Sequence, residues 1–173
     1  MSQYYIDINL NIKPLNDDAI YNSPNYWSPI SVTDINPELQ EYFLSKGLVL
    51  LSGCYVYSNG YKAHPVHMDR NQLSDFVKIV WAYGDNIDYT WYWYNLKDPS
   101  ILGDQFATFK TFNQDQVELI YSTKPTSRNY IAQVGIPHHV TNITGVRRAV
   151  TLGIYNAKTK QPISMDQAID SLL

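Results

Sequence analysis

Short apolar segments that alternate with turn signals run through the chain between Leu48 and Tyr155. Tyrosine, tryptophan, valine and isoleucine dominate these segments, and such residues suit a pleated, half-buried sheet. Glycine, asparagine, aspartate and proline separate several of them, as turns require. Strands are predicted at Leu48–Tyr57, Ala63–Met68, Phe76–Tyr83, Tyr89–Tyr94, Gln105–Phe112, Gln116–Ser122, Tyr130–Val134 and Val146–Tyr155. About eight strands at this spacing predict a mainly β fold, an antiparallel sandwich or jelly roll.

The two ends of the chain predict less sheet. Residues 1–36 are rich in proline, asparagine and aspartate, so we expect loops there, apart from a strand at Tyr4–Ile12. A short helix is predicted at Pro37–Leu44, since proline suits the first turn and Asn36 can cap it. A second short helix is predicted at Ser164–Leu173, with its serine as the cap.

Composition limits the class of protein. Hydrophobic residues make up 45% and charged residues 17% of the 173 residues, which is typical of a globular chain. No repeat or low-complexity linker divides it, so we expect one domain with its core at about 48–155. The net charge of −3 and the lack of a lysine- or arginine-rich block argue against a nucleic-acid partner.

The cysteine content and the apolar runs predict the cellular location. Cys54 is the single cysteine, which excludes an internal disulfide and fits a reducing compartment. The first residues lack the basic start of a signal peptide, and the longest apolar run, Leu48 to Leu51, is too short to span a bilayer. We therefore expect a soluble cytoplasmic protein.

A histidine and an aspartate stand two positions apart at the end of a predicted strand, in His67-Met68-Asp69. Side chains at i and i+2 of a strand point to the same face, so this pair can bind one ion from one side. A histidine about seventy positions later, on another strand, would complete a set of two histidines and one carboxylate. Non-haem Fe(II) oxygenases use this set, which leaves positions on the metal open. A solvated strand end is the alternative interpretation.

Two adjacent histidines follow Pro137, and either can be the second nitrogen ligand. If Val140 faces the core, His138 shares its face and His139 points away. We therefore predict His138 as the ligand that joins the H-x-D pair and keep His139 as the alternate. His64 would face away from the pair on a strand, so we do not expect it to bind.

Two adjacent arginines follow His138, Arg147 after nine residues and Arg148 after ten. An arginine at this place can hold a carboxylate co-substrate by a two-pronged hydrogen bond. The strand face of Arg148 is otherwise apolar and should pack on a neighbouring layer, whereas that of Arg147 carries small residues that leave room for a ligand. We predict Arg147 as the anchor, with Thr151 lining the same site and Arg148 as the alternate. Solvent-facing strand-end charges are the other interpretation.

These motifs together resemble a known superfamily. H-x-D at 67–69, P-H-x-V-x-N at 137–142 and R-x-A-V-T-L at 147–152 are similar to the motifs of the Fe(II)/2-oxoglutarate-dependent dioxygenases. The likeness is greatest to prolyl-hydroxylase-like and aspartyl/asparaginyl-hydroxylase-like members, including small phage-encoded proteins. It covers roughly residues 63–155, whereas residues 1–60 match no pattern that we can name.

The resemblance implies a double-stranded β-helix, which is a jelly roll. It implies that Fe(II) is bound by His67, Asp69 and His138, and that 2-oxoglutarate chelates this iron and pairs its far carboxylate with Arg147. In prolyl-hydroxylase-like enzymes a tyrosine often contacts that carboxylate, and Tyr83 is the candidate here; a core or strand-end tyrosine is the alternative. The implied reaction uses O₂ to hydroxylate a C–H bond while 2-oxoglutarate is decarboxylated to succinate.

The chain also departs from the family pattern. The usual Gly-Gly before the next strand is missing, and Gly84-Asp85-Asn86 stands in its place. Prolyl-hydroxylase-like members tend to place the arginine nine residues after the distal histidine, which favours Arg147. Aspartyl-hydroxylase-like members tend to use ten, which favours Arg148.

The primary substrate and two rival functions stay open at this point. A peptide side chain, a free amino acid and a nucleotide are all compatible substrates. A cupin-like metal-binding jelly roll without oxygenase activity is the first rival, and a non-catalytic viral accessory or interaction protein is the second. Arg147 distinguishes the oxygenase from the first rival, because only the oxygenase needs a dicarboxylate anchor. The oligomeric state is also open, although an exposed face rich in tyrosine and tryptophan would favour a dimer.

Overall fold

The computed structural model describes residues 4–16, 27–58, 65–70, 74–83, 88–106, 109–142 and 145–173. Within these ranges the strands are β1 Tyr5–Ile8, β2 Trp27–Ile30, β3 Leu48–Ser58, β4 Val66–Met68, β5 Val77–Tyr83, β6 Tyr89–Leu96, β7 Asp104–Phe106, β8 Phe109–Phe112, β9 Val117–Thr123, β10 Asn129–Gln133, β11 His138–Asn142 and β12 Arg147–Asn156. The α-helices are α1 Pro37–Ser45 and α2 Met165–Leu172.

The strands form two six-stranded antiparallel sheets. The first has the order β1-β10-β5-β12-β3-β2 and the second the order β7-β8-β4-β11-β6-β9. Along the chain, β3 to β6 and β9 to β12 alternate between the sheets, except that β6 and β9 are neighbours in the second. This strand order is a double-stranded β-helix, so the predicted mainly β jelly roll with short helices is confirmed.

Each sheet is apolar on both faces, and the strand alternation divides the core into layers. Between the sheets, Val80, Ala132 and Ala149 of the first meet Trp91 and Trp93 of the second. The outer face of the first sheet is covered by the helices and the N-terminal segment, and its core includes Leu39, Phe43, Leu50, Ile79, Leu152, Ile154 and Met165. A smaller cluster on the outer face of the second sheet includes Val66, Met68, Tyr94 and Phe112.

Both predicted helices are present with the predicted caps. Asn36 accepts a hydrogen bond from the backbone N–H of Glu38 at the start of α1, and Ser164 accepts one from Gln167 at the start of α2. Neither helix of the described ranges is long and apolar enough to cross a membrane.

Three strand predictions need correction. The segment predicted as one strand at Gln105–Phe112 forms two strands, β7 and β8, which pair with each other. Residues 27–30 were expected to be loop, but they form β2, which pairs with β3 at the sheet edge. No strand range was predicted for 138–142, although the second histidine was expected on another strand, and this segment forms β11, which pairs with β4 and β6.

Candidate metal centre

The predicted metal ligands meet between the sheets. His67 on β4 and His138 on β11 are direct cross-strand partners, and Asp69 follows β4 immediately. One ligand atom from each of the three lies within 4.8 Å of the others. The Nε2 atom of His67 is 3.5 Å and that of His138 is 4.0 Å from the same oxygen, Oδ1 of Asp69. The structure thus brings together the three residues that the sequence pattern selects as ligands.

Hydrogen bonds on the far side of each imidazole orient both rings. Nδ1 of His67 lies 2.9 Å from the carbonyl oxygen of Pro65, and Nδ1 of His138 lies 2.9 Å from that of Ile136. Since a carbonyl oxygen only accepts, both Nδ1 atoms carry the proton. A neutral ring then presents the lone pair of Nε2 to the centre of the cluster. Metal-bound histidines are commonly held in this way by a second partner.

Backbone contacts join the segment after β4 to the segment before β11. The N–H of Asp69 donates to the carbonyl of Val134 at 2.9 Å, and the N–H of Ser74 donates to that of Gly135 at 3.0 Å. Gly135 allows this close approach, because a Cβ atom there would lie 2.2 Å from the backbone oxygen of Ser74. The two ligand-bearing segments are therefore held in one register.

A buried ion pair completes the surroundings of the carboxylate. Nζ of Lys78 on β5 lies 2.6 Å from Oδ2 of Asp69, and both side chains are largely buried. Burial raises the pKa of Asp69, but Lys78 and then His138 and His67 outweigh it, so the pKa lies below its usual range. Burial lowers the pKa of Lys78, and the charge of Asp69 outweighs it, so that pKa is raised. Both groups stay charged at neutral pH.

The two adjacent histidines have different surroundings. His138 is buried in the inner layer, where Trp91 stacks on it with ring centroids 5.5 Å apart. Burial and then the charge of His67 lower the pKa of His138 to about 3, which keeps its ring neutral. His139 lies on the opposite face between Tyr92 and Tyr94, and the hydroxyl of Tyr94 is 2.9 Å from its Nδ1. The alternate ligand His139 is therefore turned away from the cluster, and His64 lies outside the described residues.

The donor set fits a divalent cation. The Nε2 atoms of two imidazoles and a carboxylate oxygen converge within 4.8 Å of one another, and these are ligand types that divalent cations use. Ligand atoms that each lie about 2.1 Å from one ion are up to about 4.2 Å apart. Small side-chain movements would therefore bring the three ligand atoms to the distances that a bound ion requires. Two histidines and one carboxylate on one side leave the remaining positions of an iron-type site open.

Arg147 is buried on the inner face of β12. The carbon of its guanidinium lies 4.5 Å from the ring centroid of Tyr89. Burial lowers the pKa of Arg147, whereas Tyr130 and Tyr89, which also hydrogen-bond to it, raise it, and the net shift is upward. Among the described residues no aspartate or glutamate forms an ion pair with Arg147, and its Nε atom has no hydrogen-bond partner. A buried cation without an acidic partner is costly, and an anionic ligand would offset that cost.

A hydrogen-bonded aromatic network connects this arginine with the metal ligands. The hydroxyl of Tyr130 lies 2.8 Å from that of Tyr89 and accepts a hydrogen bond from Nε1 of Trp91 at 2.9 Å. The same Trp91 stacks on His138. The cluster of ligands and the buried guanidinium therefore belong to one continuous inner surface.

The structure does not bring Tyr83, the candidate second contact of the carboxylate, together with Arg147. Tyr83 is the cross-strand partner of Arg148 and packs against the outer core, on the face opposite to Arg147. Side chains alternate along a strand, so Tyr83 shares a face with Arg148 and Tyr57 instead. Arg148, the alternate anchor, lies on this outer face, with its guanidinium 5.9 Å from the ring of Tyr57.

Thr151 lies on the same face of β12 as Arg147, as predicted. Its hydroxyl is 3.1 Å from Sγ of Cys54, which neighbours it on β3. Whether Thr151 also lines a ligand site stays a prediction.

Three residues of this inner surface were missed from the sequence. Lys78 carries the single charge of β5, Val-Lys-Ile-Val-Trp-Ala-Tyr, and a lone charge in an apolar strand is the signal that indicates it. Tyr89 begins the alternating aromatic run 89–94, which was interpreted mainly as core. Tyr130 gives no separate signal, because nothing in its own strand distinguishes it from a core tyrosine.

Comparisons with known proteins show limited likeness. Neither a protein-family model nor a curated protein matches the sequence. Among solved structures, ycfD from E. coli is 8% identical and matches 70% of this chain and 28% of its own, with a TM-score of 0.40. Apo HygX from Streptomyces hygroscopicus is 12% identical and matches 64% of this chain and 59% of its own, with a TM-score of 0.34. The match thus spans about a quarter and three fifths of those two proteins. Likeness of this degree carries no argument about activity, and the fold assignment rests on the strand order itself.

Proposed function

We propose that the protein is an Fe(II)- and 2-oxoglutarate-dependent dioxygenase that hydroxylates a C–H bond of a protein side chain or small metabolite. The observation that carries the proposal is the convergence of His67, Asp69 and His138 within 4.8 Å inside a double-stranded β-helix. This ligand set with open positions is the one that favours non-haem iron among common metals.

The chain's own residues bind and position the reactants. The two imidazoles and one carboxylate oxygen would hold Fe(II) from one side, and carbonyl partners orient the imidazoles. When bound, iron supplies O₂ activation coupled to decarboxylation of 2-oxoglutarate to succinate. No general acid or base is required of the protein, which agrees with a site built from ligands and a cation.

Arg147 supports 2-oxoglutarate as the co-substrate. Its guanidinium is buried between the sheets, has a free Nε–H and lacks an acidic partner among the described residues. The far carboxylate of 2-oxoglutarate would supply that partner through charge-assisted hydrogen bonds. Peptide and small-molecule substrates both remain compatible, since neither Arg147 nor the ligands select between them.

A metal-binding jelly roll without oxygenase activity is the second candidate. The hydrogen bonds of Arg147 to Tyr89 and Tyr130 favour it, because they satisfy part of the guanidinium without any co-substrate. In that case the arginine would be structural, and metal binding would be independent of 2-oxo acids.

The charge-transfer band of an iron complex with 2-oxoglutarate separates the two candidates. Purified protein would receive Fe(II) and then 2-oxoglutarate without oxygen, and the visible metal-to-ligand charge-transfer band would be recorded. We expect the band in the native protein and its loss in His67→Ala. In Arg147→Met we expect a strong rise in the 2-oxoglutarate concentration that gives half of the maximal band. Arg148→Met is the matched control, since it removes the adjacent guanidinium from the opposite face, and it should keep the band.

Two outcomes would contradict the proposal. A protein that binds Fe(II) but shows no band with 2-oxoglutarate would be the metal-binding jelly roll. If the band forms at the same 2-oxoglutarate concentration in Arg147→Met as in the native protein, Arg147 is not the anchor of the co-substrate. Thermal unfolding of each variant, measured without metal, shows whether a lost band reflects a lost fold.

A further inference from the structure

Lys78 and the metal ligands share one carboxylate. Oδ2 of Asp69 lies 2.6 Å from Nζ of Lys78, whereas Oδ1 faces Nε2 of His67 at 3.5 Å and Nε2 of His138 at 4.0 Å. Each oxygen of Asp69 therefore has its own partner. A carboxylate can bind a metal through one oxygen or through both, and here the second oxygen is already occupied.

The strand position and the burial of Lys78 hold its side chain next to Asp69. Lys78 lies on β5, and its cross-strand partner on β12 is Gly153. A side chain at Gly153 would overlap Phe76 and Tyr155, whose ring carbons lie 2.9 Å from the place of its Cβ atom. The lysine is largely buried, with 15% of its side chain exposed, and it is the only charged side chain of its strand. Burying an ammonium is costly without a close anion, and Asp69 supplies that anion.

We propose that Lys78 is a positioning residue of the metal centre: it restricts Asp69 to single-oxygen coordination and serves as its counter-ion when no metal is bound. The inference rests on the proposed metal site, although not on the use of 2-oxoglutarate. It goes beyond the ligand set, because the same cation that stabilises the buried carboxylate in the metal-free protein should lower the affinity of that carboxylate for a metal.

The charge of Lys78 decides whether its contact with Asp69 raises or lowers the metal affinity. A neutral hydrogen-bond partner usually strengthens a metal ligand, and its removal lowers metal affinity. An ammonium instead competes with the metal for the same carboxylate and repels the incoming cation. Removing Lys78 should therefore destabilise the metal-free protein, since Asp69 is left buried and unpaired, while it tightens metal binding. A residue with a merely structural role would not produce these opposite effects.

The experiment uses Lys78→Met, which keeps the length of the side chain but removes the charge, and Lys78→Arg, which keeps the charge and the donors. Lys124→Met is the matched control, because Lys124 forms a comparable pair with Asp88 at 2.5 Å on the surface. Mn(II) is the probe, and its dissociation constant follows from the free Mn(II) signal in electron paramagnetic resonance. Relaxation of water protons per bound Mn(II) reports how many water molecules occupy the open positions. Thermal unfolding in the presence of a chelator reports the metal-free stability.

We expect Lys78→Met to lower the unfolding temperature of the metal-free protein and to lower the Mn(II) dissociation constant by about 10-fold or more. The relaxation per bound Mn(II) should fall by the contribution of about one water molecule, as the second oxygen of Asp69 takes a position on the metal. Lys78→Arg should keep the Mn(II) dissociation constant and the relaxation per bound Mn(II) close to their native values, and Lys124→Met should change neither. If Lys78→Met does not fold, the neutral but polar Lys78→Gln carries the same comparison.

Unchanged relaxation together with an equal or weaker Mn(II) affinity in the neutral variant would overturn the inference. Absence of Mn(II) binding by the native protein would overturn the metal centre and the inference together. If Mn(II) binding responds to Lys78 as expected while no charge-transfer band forms with 2-oxoglutarate, the inference stands and the proposed oxygenase function fails.

Discussion

His67 and His138 lie directly opposite each other in the antiparallel pair of β4 and β11, with ring centroids 4.4 Å apart. Opposite residues of such a pair have Cβ atoms about 4.5–5.5 Å apart, so the register alone brings both imidazoles close enough to share one ion. A slip of one residue would turn one histidine to the other face. The candidate metal centre therefore depends on strand pairing as much as on the identity of the three side chains.

Alanine substitution of any one ligand should abolish useful metal binding. Loss of a partner behind a metal ligand already costs about 10–100-fold in affinity, so we expect His67→Ala, Asp69→Ala or His138→Ala to cost more than about 100-fold. Calorimetric titration with Mn(II) measures this. His139→Ala is the control, since that ring lies on the opposite face between two tyrosines. An equal loss in the control would contradict the assignment of the ligands.

The far carboxylate of the co-substrate should be recognised by Arg147. A 2-oxo acid of the same length without that carboxylate should bind the iron-loaded protein less tightly than 2-oxoglutarate, by about 1.5–3 kcal/mol for a hydrogen bond to a charged group. In Arg147→Met the two acids should bind almost equally. Anaerobic titration of the visible band gives both affinities, and a preference that survives in Arg147→Met would place the anchor elsewhere.

Gly135→Ala should disturb both stability and the metal centre. The new Cβ atom would lie 2.2 Å from the backbone oxygen of Ser74, which cannot give way as a side chain would. We expect a loss of about 1–3 kcal/mol in the free energy of unfolding and a weaker Mn(II) affinity. Denaturant titration and metal titration measure the two effects.

Gly47→Ala is the matched control for that substitution. Gly47 has a positive φ of 72°, and nothing lies within 4 Å of its added Cβ atom. Its alanine variant should lose about 1–2 kcal/mol through backbone strain alone, with unchanged metal affinity. Equal metal affinity in both variants would show that the Ser74–Gly135 contact does not position the ligands.

Tyr130→Phe should destabilise the inner layer. The Tyr130 hydroxyl accepts from Nε1 of Trp91 and hydrogen-bonds to Tyr89, so its removal leaves buried polar groups unsatisfied. Each such group costs about 1–3 kcal/mol, and the unfolding midpoint in denaturant should fall accordingly. Tyr121→Phe, on a ring that is 42% exposed, should change the free energy of unfolding by no more than about 0.5 kcal/mol. Similar midpoints for the two variants would argue against the network.

Local sequence patterns predicted much of this molecule. Proline and asparagine at the start of α1 and the serine cap of α2 act within one turn, so their effect does not depend on distant residues. The i, i+2 spacing of His67 and Asp69 and the apolar periodicity of β12 likewise placed side chains on faces without tertiary information. The choice of His138 over His139 and the separation of Arg147 from Arg148 followed from that alternation.

Local sequence patterns could not predict which residues of other strands each strand face contacts. The family resemblance suggested that Tyr83 contacts the same carboxylate as Arg147, but the register between β5 and β12 sets Tyr83 opposite Arg148. Lys78 and Tyr130 were missed because their partners are distant in the sequence or on another strand: Asp69 follows β4, and Arg147 lies on β12.

The sequence by itself therefore determined the strand-rich jelly roll, the capped helices and the residue types of a two-histidine, one-carboxylate site. Only the tertiary structure decided that Lys78 occupies the second oxygen of Asp69, that Arg147 is buried without an acidic partner among the described residues, and that tyrosines from two other strands contact it. The physical reason is that periodicity and capping are local, whereas ion pairing and burial arise from strand register and from the packing of one sheet on the other.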